Sequence, residues 1–336
     1  MKSDGYIVSP VYDWLLFLLP PLLALGLGIG VSGTPFATEK FHWVNQQTTL
    51  SRLVVGAIVH AHLVAVVFRS HGNGNIRRLH PWRFIAVPLA LYGAMLGSFS
   101  FFVVCAVIAT FWDVYHSSLQ TFGFARIYDK RLGNDPDAGR RLDWGLNLLM
   151  YAGPILGGAS LMDHIDAFEG LSHLDTPIAR TVPYFFETNA QTFTWIVVGV
   201  GSGFLAWYLH SYWELHRKGY RISPQKIFLL ASTGFVSIYS WGFNTWGEAY
   251  LIMNAFHALQ YFGIVWAFEK KNLTRMFRTQ SLGPVVTATI FMGLCLGYGV
   301  VVSSNGIYAL AALSMVVSLM HFWYDGFIWS VRKDQV

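Results

Sequence analysis

Residues 50–78 read LSRLVVGAIVHAHLVAVVFRSHGNGNIRR. From Leu50 to Phe68 the only formal charge is Arg52. The run then gives way to Arg69, Arg77 and Arg78 around a Gly-Asn-Gly-Asn stretch. About 20 apolar residues are what a helix needs to cross a hydrocarbon core. A basic turn after such a run marks a cytoplasmic loop. The same stretch carries two histidines, His60 and His62, inside its apolar part.

Working outward, runs of this kind recur along all 336 residues. Spans are predicted at 12–31, 50–68, 84–97, 99–126, 143–161, 192–215, 226–241, 248–268, 283–302 and 307–331. A Ser304-Asn305-Gly306 turn separates the last two. Composition agrees. The chain is 54% hydrophobic and only 12% charged, against roughly 25% charged in a soluble domain, so much of its surface is expected to face lipid. The fold class predicted is all-α: a polytopic bundle of about ten transmembrane helices, forming a single integral membrane domain over 1–336.

Orientation follows from the basic residues. All but Lys40, Arg52 and Arg180 of the 23 Lys and Arg fall in alternate loops or at the termini, including Lys2, Arg332 and Lys333. Both termini are therefore expected in the cytoplasm, and the chain is expected to be a multi-pass protein of the inner (plasma) membrane. The net charge of +5 is explained by this bias and does not imply a nucleic-acid partner. The 162–191 segment is read as the longest external loop. The first apolar run lacks a strongly basic leader and a small-x-small cleavage site, and is read as a mature helix. Gly26-Leu-Gly28-Ile-Gly30 lies inside that helix, so it is no phosphate loop. Cys105 and Cys295 lie in apolar runs without a CxxC spacing, which points to packing.

Ionisable side chains within spans are expensive and mark function by default. His60 and His62, Asp113 and His116, His257, and His321 and Asp325 fall in four different predicted helices that descend toward the same side. At ~1.5 Å per residue, His116, His257 and His321 lie ~15 Å above their helix ends, His60 ~12 Å and His62 ~9 Å. Asp113 and His116 are i, i+3, and His321 and Asp325 are i, i+4. Each pair therefore shares a helix face and can supply two metal ligands, or one ligand and the acceptor that orients it. His60 and His62 point ~200° apart on a helix, so one is expected to bind and the other to join a polar network. The candidate metal ligands are thus His60, His62, His116, His257, His321, Asp113 and Asp325. Asp113, Asp325 and Tyr115 are the candidate catalytic groups, with Asn254, Gln120 and Gln260 as polar support. Trp112, Tyr115, Tyr261, Trp266, Trp323 and Tyr324 flank this layer and could line a site for a long apolar ligand.

Two stretches carry a resemblance. HFWYDGFIWSVR (His321 to Arg332) and FWDVYHSSLQTFGFARIYDKR (Phe111 to Arg131) look like segments of uncharacterised bacterial polytopic membrane proteins. More loosely, the chain is similar to the membrane β-carotene dioxygenases of the bacteriorhodopsin-related-protein family. That resemblance implies a helix bundle with histidine-bound non-haem iron acting on an isoprenoid. It assigns no individual residue.

Three functions fit the layer. The first is a membrane His/Asp metalloenzyme, a non-haem iron oxygenase or oxidoreductase with one or two irons. Its partners would be membrane lipid, a lipophilic lipid or isoprenoid substrate, and an electron donor. The second is a haem- or quinone-binding electron carrier, with opposed histidines as axial ligands. The third is a proton-coupled transporter, with the His/Asp pairs as a relay.

Overall fold

The computed structural model describes residues 5–44, 46–244, 246–304 and 306–329. Lys2, Arg332, Lys333, the end of the last predicted span and Asn305 of the predicted turn lie outside the described residues. The elements in order are α1 (Pro10–Asp13), a π turn (Trp14–Leu18), α2 (Pro20–Val31), α3 (Pro35–Thr38), β1 (Lys40–Trp43), β2 (Gln46–Thr49), α4 (Leu50–Ser70), α5 (Gly74–Leu79), α6 (Pro81–Gly97), α7 (Phe99–Arg131), α8 (Arg140–Leu156), α9 (Leu161–Ile165), a 3-10 turn (Asp166–Leu174), α10 (Ile178–Arg217), α11 (Pro224–Phe243), α12 (Trp246–Met276), α13 (Gly283–Ser304) and α14 (Tyr308–Ile328). The protein is 83% helical, and the described strands are the single antiparallel hairpin β1–β2.

Each predicted span coincides with a helix or a bent helix pair, but not each helix is long and apolar enough to cross a membrane. Six are: α4, α7, α10, α12, α13 and α14. The number rises to eight if two bent pairs each make one span, Pro10–Leu18 with Pro20–Val31 and Arg140–Leu156 with Leu161–Leu174. The remaining predicted spans are α6, with only 17 residues and an internal Pro88, and α11, where Lys226, Ser232, Thr233, Ser237 and Ser240 lower the hydropathy.

The largest boundary difference is at α10. Its helix begins at Ile178 and has 40 residues, so much of the predicted 162–191 loop is helical. Glu187, Thr188, Asn189 and Gln191 lower hydropathy there without breaking a helix, whereas Pro177 sits just ahead of its first turn. Hydropathy reports the medium, not the backbone conformation. Much of α10 is apolar and outward-facing: Trp195, Val200, Trp207 and Leu209 are all more than half exposed. Apolar surface of that extent is a liability in water and ordinary in lipid.

The chain forms two compact units. The first comprises the residues up to Leu25 together with Thr110–Met253, and the second Gly26–Ala109 together with Asn254–Ile328.

In the second unit, α4 packs closely against α13. Gly299 lies on the Ala57 carbonyl, where a Cβ would collide with the backbone, and small-residue contacts of this kind let membrane helices approach. Thr49 caps α4 by accepting from the Arg52 amide at 3.3 Å, and Trp43 of the hairpin donates to Ser304 at 2.7 Å. Near the other end of α4, Arg69 donates to Glu269 of α12 at 2.6 Å and to the Ile328 carbonyl at 3.1 and 2.9 Å. Glu269 also accepts from Asn73 at 3.1 Å and Asn272 at 2.6 Å. The last carbonyls of a helix lack intrahelical partners. Arg69 supplies one for α14 and ties α4, α12 and α14 together.

In the first unit, Asp143 of α8 is the hub. Its Oδ1 accepts from Tyr208 at 2.9 Å and Tyr212 at 2.7 Å, and its Oδ2 from Arg126 at 2.5 Å and Lys226 at 2.8 Å. Lys226 also donates to Asp129 at 2.7 Å and to Tyr212 at 2.6 Å. Arg126 reaches Asp129 at 2.8 Å and the carbonyls of Pro136 and Ala138 at 3.0 and 2.8 Å.

Candidate metal centre

α4, α12 and α14 each carry one buried histidine of the second unit: His62, His257 and His321. Locally these are ordinary apolar helices, so an imidazole can reach the interior only by replacing a packing residue. The His62 ring meets that of His257 edge to face at 5.1 Å and that of His321 at 5.2 Å. One ligand nitrogen from each lies within 4.8 Å of the others. Nitrogens bound to a common ion at ~2.1 Å lie roughly 3–4 Å apart, so small ring movements would close the remaining gap.

The surroundings orient the rings. His321 Nδ1 lies 3.0 Å from the Leu63 carbonyl. A carbonyl only accepts, so Nδ1 carries a proton. A backbone carbonyl behind a histidine is the usual support for a metal ligand. His321 Nε2 is 3.7 Å from Asp325 Oδ2, while Asp325 Oδ1 accepts from the Tyr261 hydroxyl at 3.0 Å. The Tyr261 ring packs on His321 at 4.5 Å. Asp325 keeps some exposure, at 13% of its side chain. The group therefore brings together three imidazoles, a hydrogen-bonded carboxyl group and an adjacent phenol.

His60 and His62 part as their spacing requires. His62 faces the other imidazoles, while His60 Nδ1 sits 3.0 Å from the Ser314 hydroxyl. The depth count favoured His60. α4 continues to Ser70 and α14 ends at Ile328, and with these ends His62 and His321 come level. Asn254 and Gln260 are buried on α12.

The other predicted residues lie in the first unit on α7. His116 is buried. Asp113 is half-buried and close to Tyr151 and Tyr250, and Gln120 is half-buried. Tyr115 is exposed and is not carried into the site proposed below.

Sequence reasoning missed the role of Tyr261 and the burial of three cations. Arg69, Arg126 and Lys226 were counted as loop charges, yet all three are buried and ion-paired. The available signal was an acidic residue near each: Glu269 at the end of a long apolar run, and Asp129 and Asp143 flanking a basic loop. Tyr261 is i+4 from His257 and so shares its face. Comparison of the chain with protein-family models, curated proteins and solved structures returns no match.

Proposed function

We propose that this chain is an integral membrane metalloenzyme whose ion is held by His62, His257 and His321, with Asp325 beside it and Tyr261 orienting that carboxylate. The observation that carries the reading is the convergence of three buried imidazoles from three helices, with ligand atoms within 4.8 Å of one another. We further propose non-haem iron, because histidine and carboxylate ligation with open positions suits Fe(II) and dioxygen. The substrate would be a lipophilic lipid or isoprenoid reaching the site from the bilayer. Insertion of both atoms of dioxygen into it needs no added reductant. Insertion of one atom would draw two electrons per turnover from a membrane donor. The protein would lie in the plasma (inner) membrane, with about ten membrane helices and cytoplasmic termini.

The test is metal analysis of the full chain purified in detergent, after incubation with Fe(II) under anaerobic conditions and removal of excess. One tightly held iron per chain is expected, lost in His62→Ala, His257→Ala and His321→Ala. Stable, folded variants that keep full iron would overturn the assignment.

A further inference from the structure

The second unit carries an exposed surface of one charge sign. No Asp or Glu occurs in residues 53–112 or 270–324. Within these stretches Arg77 and Arg78 of α5 and Arg83 at the start of α6 are exposed. So are Lys270, Lys271 and Arg275 near the end of α12, and Arg278 just after it. None of the seven has an ion pair among the described residues. The carboxylate beside them, Glu269, is buried and bonded to Arg69, Asn73 and Asn272. The two basic segments adjoin. Asn73, whose side chain caps α5 by accepting from the Asn75 amide at 3.1 Å, also donates to Glu269, and the Phe68 ring meets that of Phe277 at 6.0 Å.

The basic loops of the first unit are different. Asp135 and Asp137 lie among the cations of 130–141, and Glu214 pairs with Arg217 at 3.6 Å. Orientation in a membrane follows the number of Lys and Arg and is little affected by acids. The exclusion of exposed acids from one unit's basic surface therefore has a separate cause.

The surface is also firmly held and partly apolar. His71 Nε2 lies 2.9 Å from the Phe84 carbonyl, Tyr324 donates to the Arg83 carbonyl at 3.1 Å, and the Arg83 guanidinium lies over the Trp323 and Phe327 rings at 5.7 and 5.2 Å. Between the arginines, Leu79 is 59% exposed and Trp82 79%. Ile85 and Leu89 follow Trp82 at i+3 and i+7, on one face of α6, and both are more than half exposed. Cations followed by an outward apolar row match the order of a phospholipid, phosphate first and acyl chain after it. Arginine suits phosphate by its planar fork of donors, and tryptophan favours the headgroup level. An acidic soluble protein would answer the cations but not the apolar row.

We propose that this end of the second unit binds anionic phospholipid, with the Arg77–Arg78 and Lys270–Lys271 pairs on headgroup phosphates and acyl chains along Trp82, Ile85 and Leu89. A zwitterionic lipid brings its own ammonium with each phosphate and leaves the excess positive charge in place. The surface uses none of the proposed metal ligands and stands whether or not iron binds.

The test is native mass spectrometry of the full chain in detergent, titrated with palmitoyl-oleoyl phosphatidylglycerol or with the matching phosphatidylcholine. Phosphatidylglycerol is expected to be retained at least tenfold more tightly. A cation near a membrane surface contributes about fivefold, so Arg77→Gln/Arg78→Gln and Lys270→Gln/Lys271→Gln should each weaken phosphatidylglycerol about 25-fold. Arg217→Gln/Lys218→Gln, in the first unit, should change it less than threefold. A thermal melt of each variant checks folding. Equal retention of the two lipids would overturn the proposal. So would phosphatidylglycerol binding that survives both double substitutions in the second unit, or that falls equally with the pair in the first. Displacement of phosphatidylglycerol by polyglutamate at equal charge concentration would assign the surface to an acidic protein and overturn it as well.

Discussion

The two units bury polar groups in opposite ways. In the first, Arg126, Lys226, Asp129 and Asp143 form a charge-balanced cluster in which three tyrosines take part or stand close by, and Asp143 accepts four hydrogen bonds. In the second, the imidazoles of His62, His257 and His321 meet ring to ring. A cluster whose opposite charges answer one another holds helices in place. Three imidazoles grouped at one point supply the donor set that a metal ion takes. Buried ionisable residues alone do not distinguish structure from function, but the donor types that are grouped do.

Breaking the charge-balanced cluster should have the largest effect on stability. Asp143→Ala leaves Arg126 and Lys226 facing Asp129 alone, and is expected to lower unfolding stability by about 3–5 kcal/mol, read from denaturant titration in detergent. Asp143→Asn keeps part of the hydrogen bonding and should lose less. A change for Asp143→Ala under about 1 kcal/mol would contradict its place as the hub.

Glu269 sharpens the comparison, since it belongs to the unit of the imidazoles but to an ion-paired lock. Glu269→Ala strands the buried Arg69 and should lower stability by about 3 kcal/mol. It should also weaken iron binding although Glu269 is not a ligand, because α4, α12 and α14 lose a shared tie. Intact iron affinity in a destabilised but folded variant would separate the lock from the site.

Changes around the imidazole cluster should do the reverse and spare stability. Tyr261→Phe and Asp325→Asn are each expected to weaken iron about 10–100-fold, measured by chelator competition, with a melting temperature near that of the wild type. Smallest of all should be His60→Ala, which removes only the contact to Ser314. It should cost about 1 kcal/mol and leave iron in place. Iron loss in His60→Ala would return that residue to the ligand set.

The helices were legible in the sequence because lipid-facing surface requires long apolar runs, and the contrast between Leu50–Phe68 and the Arg77-Arg78 turn is a direct imprint of the medium. The start of α10 was not legible, because Glu187 to Gln191 lower hydropathy while remaining helical. The histidines were legible as rare residues inside spans. Their grouping was legible only in part, because depth along a helix is set by helix ends that are uncertain by several residues. Two shifts together decide between His60 and His62: α4 ends two residues later than predicted and α14 three residues earlier. The Arg69, Arg126 and Lys226 pairs were hidden by counting basic residues as loop charges, since a cation at a helix end reads the same whether it enters a loop or turns inward to an acid.

The central claim is that the three imidazoles share one ion. X-ray absorption at the iron edge of the reconstituted wild-type protein tests it most directly. The account predicts light-atom ligands at ~2.0–2.2 Å with outer-shell scattering from three imidazole rings. A bound iron whose spectrum shows no imidazole scattering would contradict it.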